Sequence, residues 1–441
     1  MNVITRREFL DTLAVTAAGA AISTNAKSYA QIAGANDRVN FAVIGLNSRA
    51  YAHLSSLKAN EKCSRITHIC DVDTPILEKF AGKAQASVGY KPATEKDFRK
   101  VLASKDVDAI TIATPDHWHA PMAIAGLEAG KHVYVEKPCS HNPGEGAMLV
   151  AARDKYKKLV QMGSQQRSSP HTIELAAKIK EGLIGRQYYA KAWYSNTRKS
   201  IGEGKPVAVP ATLDWDLWQG PAPRKAYMDN YHPYNWHWFW HWGTGETLNN
   251  GTHEIDVSRW LLGVDYPTHV AARGGRYHFK DDWQFYDTLL TEFNYGDKMI
   301  SWEGKCCQGM KFYDRDRGSA IMGTTGTVVV DRGGYEVYDL KGTKVSEFKV
   351  GKSSAAADLV GADSMTDMHF ANFIAGIQKG EKLNAPIEVG NVAVTMLQLS
   401  NVAWKLNRGL TLDPTTGKVL NDAEAMKSWD REYEKGWAPK V

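Results

Sequence analysis

The chain has 441 residues, of which 43% are hydrophobic and 23% are charged. This composition indicates a globular protein, and the length indicates two domains, because a single core rarely grows to this size. The net charge of +5 is spread along the sequence without a long basic run. Nucleic acid is therefore not an expected partner, since binding along phosphates needs clustered Lys and Arg.

Residues 1–30 have the pattern of an export signal. Thr5-Arg6-Arg7-Glu8-Phe9-Leu10 is a twin-arginine motif, an alanine-rich apolar run follows over residues 13–22, and Ser28-Tyr29-Ala30 is a small-x-small cleavage site. The apolar run is shorter than the roughly 20 residues that cross a bilayer, so no membrane span is expected. The pattern predicts a twin-arginine (Tat) signal peptide cleaved after Ala30 and export to the periplasm. An N-terminal amphipathic helix is the alternative.

Over residues 36–160, short apolar strands alternate with helix-length segments, which is typical of a doubly wound parallel sheet. Strand 39–44 runs into Gly45-Leu46-Asn47-Ser48-Arg49-Ala50, where a dinucleotide fingerprint would read G-x-G-x-x-G/A. Asn47 replaces the middle glycine. Asn tolerates positive φ, so the turn can form, although the pyrophosphate approaches less freely. The turn predicts cofactor contacts from Gly45, Asn47, Ser48 and Arg49.

Two further loops are expected at the same edge of the sheet. Strand 66–70 ends at Asp71, whose carboxylate suits ribose hydroxyls and repels a 2′-phosphate, so NAD is expected rather than NADP. Strand 109–114 leads into a turn in which Thr114, Asp116 and His119 are candidate neighbours of the cofactor. The alternatives are that Asp71 and Asp116 merely cap the helices that follow them.

Glu136-Lys137-Pro138 follows the apolar strand 132–135 directly. A lysine at this position lies at the carboxyl edge of a parallel sheet, where open α/β folds bind ligands. Its ammonium would stabilise negative charge on a carbinol oxygen as a hydride leaves, and burial would lower its pKa. Glu136 would orient Lys137 or the nicotinamide ribose. A solvated turn is the alternative.

The glycine turn, Cys70-Asp71-Val72-Asp73, Thr114-Pro115-Asp116-His117-Trp118-His119 and above all Glu136-Lys137-Pro138 resemble the Gfo/Idh/MocA family of glucose-fructose oxidoreductase, inositol dehydrogenase and relatives. The resemblance covers nearly all of the chain after the signal. It implies an α/β protein with a Rossmann domain over residues 36–160 and an α+β domain with an open, mostly antiparallel sheet over residues 161–441. It also implies a sugar or glycoside as substrate and a homo-oligomer of two or four chains.

Strand-like runs at 188–194, 288–294, 298–302 and 326–330 independently predict that second sheet. Two helices are predicted, over residues 365–379 and 389–408, and one of them is expected to pack back on the Rossmann domain.

In the family, a helix of the second domain presents Asp-x-x-x-His-x-x-Asp across the cleft from the lysine. This chain has Asn249, His253 and Asp256 at those positions, and their spacing, with Trp260, predicts one shared helical face. His253 is the leading general acid/base, acting with Lys137, because only His titrates near neutral pH without help. Asn249 can orient a hydroxyl but cannot take a proton. A core histidine is the alternative reading of His253.

Residues 231–242 comprise seven Phe, Trp or Tyr residues, one proline, three histidines and one asparagine, in the run Tyr-His-Pro-Tyr-Asn-Trp-His-Trp-Phe-Trp-His-Trp. They predict a platform that stacks on sugar faces, with Tyr234, Trp236 and Trp238 as substrate contacts. Packing between domains is the alternative. From the polar turn 163–167, Gln165 is a candidate for the cofactor and Arg167 for the substrate. No metal site is predicted, because His237 and His241 have no acid at ligand spacing.

The sequence thus predicts a periplasmic NAD-dependent oxidoreductase that acts on a CH–OH group of a sugar. Free nicotinamide cofactor is scarce outside the cytoplasm, so a tightly held cofactor that is recycled within the site is expected. One alternative is redox-neutral glycoside cleavage, in which oxidation, elimination and return of the hydride follow each other. Retention of Lys137 mildly favours net oxidoreduction. A non-catalytic sugar-binding protein is a further alternative, and only the Asn249 departure supports it.

Overall fold

The computed structural model describes residues 38–350 and 364–441. The predicted signal peptide, residues 1–30, lies outside the described residues. Within the described ranges, no helix is long and apolar enough to cross a membrane.

The first sheet has six parallel strands in the order β3-β2-β1-β4-β5-β6. These strands are β1 Val39–Ile44, β2 Ser64–Cys70, β3 Ala93–Glu95, β4 Ala109–Ile112, β5 His132–Val135 and β6 Val160–Met162. The helices between them are α1 Ala50–Ala59, α2 Thr74–Val88, α3 Phe98–Ala103, α4 Asp116–Glu128 and α5 Pro143–Tyr156. The strand order reverses between β1 and β4, so the loops that follow these two strands open a crevice at the carboxyl edge of the sheet.

The second sheet is mostly antiparallel and has the order β15-β14-β13-β12-β7-β10-β9-β8-β16, with β11 paired to β7. Its strands are β7 Gln187–Thr197, β8 His269–Gly275, β9 Thr288–Asn294, β10 Met299–Lys305, β11 Cys307–Gln308, β12 Arg317–Gly323, β13 Thr327–Asp331, β14 Gly334–Tyr338, β15 Lys344–Lys349 and β16 Leu410–Thr411. Among the described strands of this sheet, only β7 and β10 pair in parallel. In β9 the burial alternates residue by residue, so one face of this sheet packs on helices. The two sheets confirm the predicted fold class.

The remaining helices are α6 Pro170–Lys180, α7 Trp215–Gln219, α8 Gly245–Asn249, α9 Gly251–Leu262, α10 Ser364–Lys379, α11 Ile387–Leu406 and α12 Ala423–Met426. Helix α10 returns to the first sheet, where the Phe370 ring stacks on Tyr134 of β5 at 4.3 Å. Helix α11 contacts β6 of the same sheet, and its Gln398 donates to the carbonyl of Ser140, in the loop after β5, at 3.0 Å. Two helices of the second half, rather than one, therefore brace the dinucleotide-type sheet.

The helix predicted through Asn249 and His253 is broken. Helix α8 ends at Asn249 and α9 begins at Gly251, with Asn250 between them at φ −117°. The amide of His253 bonds to the carbonyl of Asn250 rather than to that of Asn249. The break therefore leaves the Asn249 carbonyl available to a partner outside the helix, as at any helix C-terminus.

Candidate active site

Two adjoining clefts lie at the carboxyl edge of the parallel sheet. The first has about 750 Å³ of empty space and the second about 960 Å³. They share a boundary formed by Ser48, Ala113, Thr114, Tyr234, Trp236 and His237. A ligand can therefore extend from one cleft into the other.

The turn after β1 forms the floor of the first cleft. Gly45 has φ +83°, and a Cβ placed there would lie 2.6 Å from the Thr114 nitrogen, so the turn requires glycine. The amide of Leu46 donates to Asp71 Oδ2 at 2.7 Å, and the amide of Asp73 donates to Asp71 Oδ1 at 3.0 Å. Asp71 thus braces the glycine turn, and it does not cap α2.

Burial sets the protonation of Asp71. It raises the pKa of this carboxyl from 3.8 to about 6, although the amide donors oppose the rise. The carboxylate that would accept ribose hydroxyls is therefore fully ionised only above that pH.

Glu136 is the electrostatic centre of the second cleft. Its Oε1 accepts from Arg49 Nε at 2.8 Å, from Gln165 Nε2 at 3.2 Å, and lies 3.0 Å from His53 Nε2. Burial alone would raise the pKa of Glu136, but Arg49 and His53 outweigh it and hold the pKa well below its usual range. Glu136 is thus a fixed negative charge beside Lys137.

Lys137 projects from the end of β5 across to the second half of the chain. Its Nζ donates to the main-chain carbonyl of Asn249 at 2.6 Å and to Asn249 Oδ1 at 3.3 Å. Burial lowers the pKa of this ammonium, while Glu136 and Asp116 oppose the change. Lys137 is therefore a half-buried cation that is held at the end of α8 and lines the cleft, rather than a solvated turn residue.

His253 lines the same cleft as Lys137. Burial, together with the positive charges of Arg332 and Lys137, lowers the pKa of His253 well below 6.5, so the ring is neutral at pH 7. Within the part of the chain that the structure describes, neither ring nitrogen has a hydrogen-bond partner. A neutral, unpartnered imidazole facing a cleft can accept a proton from a ligand.

His119 and Asp116 hold the loop after β4. The two ring nitrogens of His119 lie 2.5 Å from the carbonyl oxygen of Pro138 and 2.8 Å from that of Thr114. Asp116 accepts a hydrogen bond from the hydroxyl of Thr244 at 2.5 Å, and burial raises the pKa of Asp116. Since its carboxylate makes no bond to the first turn of α4, Asp116 is not a helix cap.

The aromatic segment divides between the cleft and the core. Tyr234 is 40% exposed, and Trp236 stacks on His237 with ring centroids 3.5 Å apart. These three rings line both clefts, whereas Phe239 and Trp242 are buried. The Nδ1 of His237 and the Nε2 of His241 each lie 2.6 Å from a carbonyl oxygen, and in the described ranges no three or more His, Cys, Asp or Glu side chains come together as metal ligands would.

Three predicted site residues do not line either cleft. Arg167 donates from Nε and Nη2 to the two oxygens of Asp256, at 2.6 and 2.9 Å, and its guanidinium lies over the ring of Trp260. Trp238 stacks on Trp283 at 3.9 Å behind the cleft wall. The prediction that Asp256 faces the site together with His253 is wrong, because the buried Asp256 carboxylate pairs with the Arg167 guanidinium instead.

The structure also places residues in the site that the sequence did not single out. Arg332, from the turn between β13 and β14, lines the second cleft, and Lys96 and His232 line the first. The Arg332-Gly333-Gly334 turn was recognisable, but nothing in the sequence indicated which hairpin reaches the cleft. His53 was hidden because it lies in the middle of α1, where its contact with Glu136 depends on helix packing.

Comparison with known proteins identifies the family. Residues 39–164 match the Gfo/Idh/MocA oxidoreductase family, NAD-binding Rossmann fold, and residues 198–399 match its C-terminal α/β domain. The chain belongs to this family. The predictions of this oxidoreductase family and of an NAD-binding Rossmann domain are thereby confirmed.

Two curated relatives and one solved structure are similar to this chain. Glycosyl hydrolase family 109 protein 1 from Shewanella sp. (strain ANA-3) is 27% identical over 214 residues, which are 44% of this chain and 46% of that protein. Levoglucosan dehydrogenase from Pseudarthrobacter phenanthrenivorans is 30% identical over 188 residues, 42% of this chain and 40% of that protein. The match thus spans less than half the length of these curated relatives. The fold is shared with WlbA dehydrogenase from Bordetella pertussis, solved with NADH and UDP-GlcNAcA, at TM-score 0.62, 19% identity, and coverage of 85% of this chain and 99% of that one.

The first cleft fits NAD on the residues present. Gly45 gives the tight turn with which the fingerprint begins, and Asp71 supplies the acid at the end of β2. The hydroxyl oxygen of Thr114 is buried without a hydrogen-bond partner among the described residues, and it lines both clefts. Gly45, Asn47, Ser48, Asp71 and Thr114 are the residues that would hold the cofactor.

Proposed function

We propose that the protein is a periplasmic oxidoreductase that oxidises a CH–OH group of a sugar or sugar derivative with a tightly held NAD. The observation that carries the proposal is that Lys137 and His253 line one cleft that adjoins the cofactor cleft. When bound, NAD supplies the hydride acceptor for such a reaction. The twin-arginine motif at Arg6-Arg7 supports export, because that pathway carries folded proteins with their cofactors.

The two residues divide the handling of the substrate hydroxyl. His253, neutral at pH 7, accepts the hydroxyl proton, and the ammonium of Lys137 stabilises the negative charge that builds on the oxygen. Asn249 holds Lys137 through its main-chain carbonyl, so its replacement of the family's Asp does not release the lysine. Tyr234 and Trp236 offer ring faces for the sugar.

Redox-neutral glycoside cleavage is the second candidate. The likeness to a protein named for glycoside hydrolysis favours it, while the likeness to levoglucosan dehydrogenase favours net oxidation. Both reactions begin with the same proton and hydride removal, so the same residues serve either one. They differ in what would follow: in cleavage the leaving group would depart, water would add in its place and the hydride would return to the same sugar, whereas in net oxidation the sugar would leave as the carbonyl product.

The test begins with the purified protein, which is denatured and examined by mass spectrometry for released nicotinamide nucleotide. The intact protein is then mixed with a panel of sugars and glycosides while reduced-nicotinamide absorbance and free aglycone are followed. An absorbance change without aglycone supports oxidation, and aglycone release without net reduction supports cleavage. If no nucleotide is released and none is taken up, the proposal fails.

Variants assign the residues. Lys137→Ala and His253→Ala should each lower the rate of cofactor reduction by about 10²-fold or more, in line with general acid–base and charge-stabilising groups. His278→Ala, at an exposed histidine, is the matched control and should leave the rate unchanged. Activity retained in both cleft variants would show that the chemistry lies elsewhere.

Export and assembly complete the proposal. Replacing Arg6 and Arg7 by lysine should retain the protein in the cytoplasm, which cell fractionation would show, and periplasmic delivery of that variant would overturn the assignment. A homo-oligomer of two or four chains is proposed from the family resemblance, and light scattering of the purified protein would measure it.

A further inference from the structure

A third cavity lies apart from the two clefts. It has about 770 Å³ of empty space and shares no lining residue with either of them. Thr244 separates it from the second cleft, since its carbonyl accepts from Asn401 on the cavity side and its hydroxyl donates to Asp116 on the cleft side. We call it the rear cavity and define it by Asn142, Gln398, Lys405, Lys427 and Arg431.

Polar atoms without partners line the rear cavity. Asn142 Nδ2, Gln398 Oε1, and Nε and Nη1 of Arg431 are buried and have no hydrogen-bond partner among the described residues. Buried polar atoms are almost always satisfied, and each one left alone is destabilising by about 1–3 kcal/mol. Both ring nitrogens of His141, which also lines the cavity, are buried without a partner among the described residues as well. Four residues with this feature around one cavity point to a ligand that supplies the missing bonds.

The donor or acceptor character of the two side-chain amides is fixed by their other contacts. Asn142 Oδ1 accepts from the amide of Glu145 at 3.0 Å, so its amide nitrogen, a donor, is the atom left without a partner. Gln398 Nε2 donates to the carbonyl of Ser140 at 3.0 Å, so its oxygen, an acceptor, is the atom left without a partner. The cavity therefore offers donors from Asn142 and Arg431 and an acceptor from Gln398, a set that matches an oxygen-rich molecule with hydroxyl groups.

Charge at the rear cavity favours an anion. Lys405, Lys427 and Arg431 line it with one acid, Asp430. The charge of Arg431 is balanced by the buried Glu145, 2.8 Å away. Lys405 and Lys427 are exposed at the surface, so their ammonium groups add an excess positive charge over Asp430.

We propose that the rear cavity binds a small anionic polyhydroxy compound, either a sugar acid or a sugar phosphate. The carboxylate or phosphate lies towards Lys405 and Lys427, and the hydroxyl groups reach Asn142, Gln398 and Arg431. This site is separate from the proposed reaction and does not depend on it.

Isothermal titration of the full-length protein tests the proposal with four probes: sodium gluconate, glucose 6-phosphate, inorganic phosphate and glucose. The sharpest variant is Asn142→Asp. It keeps the oxygen that caps α5 through the Glu145 amide, while it replaces the unpartnered donor by a charged acceptor. We expect at least a tenfold loss of gluconate or glucose 6-phosphate affinity with the unfolding temperature maintained.

A double variant and its control test the charge. Lys405→Gln with Lys427→Gln should weaken anion binding at least tenfold. Lys418→Gln with Lys435→Gln removes the same net charge from exposed positions outside the cavity and should leave binding unchanged.

Each result decides for or against the rear cavity. Binding of gluconate or of glucose 6-phosphate that is lost in both cavity variants and kept in the control supports the proposal and identifies the anionic group. Absence of anion binding in the wild type would overturn it, as would binding that persists in both cavity variants. If glucose or inorganic phosphate binds as tightly as the charged sugars, the cavity does not recognise an anionic group and hydroxyl groups in one ligand, and the proposal is overturned.

Discussion

The substitution Asn249→Asp places a carboxylate where the amide oxygen lies 3.3 Å from Lys137 Nζ. At that separation, two unit charges attract by about 1 kcal/mol in bulk water and by about 5 kcal/mol at an effective dielectric constant of about 20. One pH unit corresponds to about 1.4 kcal/mol, and measured carboxylate–cation pairs shift by about one to three pH units. The pKa of Lys137, which burial lowers in the native protein, should therefore rise by about one to three pH units.

The assay is the pH dependence of cofactor reduction in a single turnover, with a sugar found active in the panel. If the ammonium of Lys137 stabilises the developing oxyanion, activity is lost at alkaline pH as this group deprotonates, and Asn249→Asp should move that limb upward by one to three pH units. Asn249→Ala is the matched control, because it retains the main-chain carbonyl that accepts from Nζ at 2.6 Å. An alkaline limb that stays in place in the Asp variant would refute the role given to Lys137.

Three further outcomes are expected. NAD affinity should fall about tenfold for each pH unit below 6, because burial raises the pKa of Asp71 to about 6 and protonation removes the acceptor for the ribose hydroxyls. The Asp71→Asn variant should bind NAD weakly at every pH. Titration calorimetry of both proteins from pH 8 to 5 measures these affinities. Gly45→Ala should lower the free energy of unfolding by about 1–3 kcal/mol, because φ at this position is +83° and the added Cβ would meet Thr114. A denaturant unfolding curve that does not change would contradict this. Phe370→Ala should cost about 3–5 kcal/mol in the same assay, because this buried ring stacks on Tyr134; a loss under 1 kcal/mol would mean that α10 does not brace the parallel sheet.

Local patterns predicted the parts of the site that follow the strands. Parallel strands end at one edge, so Gly45, Asp71, Thr114 and Lys137 had to come together once the strands were recognised. The same reasoning placed Glu136 beside Lys137 in the chain. It did not reveal that Arg49 and His53 converge on Glu136, because those contacts depend on how α1 packs across the sheet.

Periodicity was less reliable in the second half. Helical spacing put Asn249, His253 and Asp256 on one face, but the break at Asn250 and the ion pair of Asp256 with Arg167 separate their roles. Residues at helical spacing share one face and one role only where the helix is continuous and their side chains are free. Burial removes that freedom, since a buried carboxylate is paired wherever a guanidinium is within reach.

The sequence by itself determined the family, the two kinds of sheet, and the lysine and histidine on which the proposed chemistry rests, because each of these is carried by a local pattern of strands, turns and spacing. Only the tertiary structure decided which rings of the aromatic segment face the cleft, that the Asn249 carbonyl holds Lys137, and that a separate polar cavity lies behind Thr244. These features join residues that are more than a hundred positions apart. Their distances are set by the packing of whole helices and sheets, which no local pattern encodes.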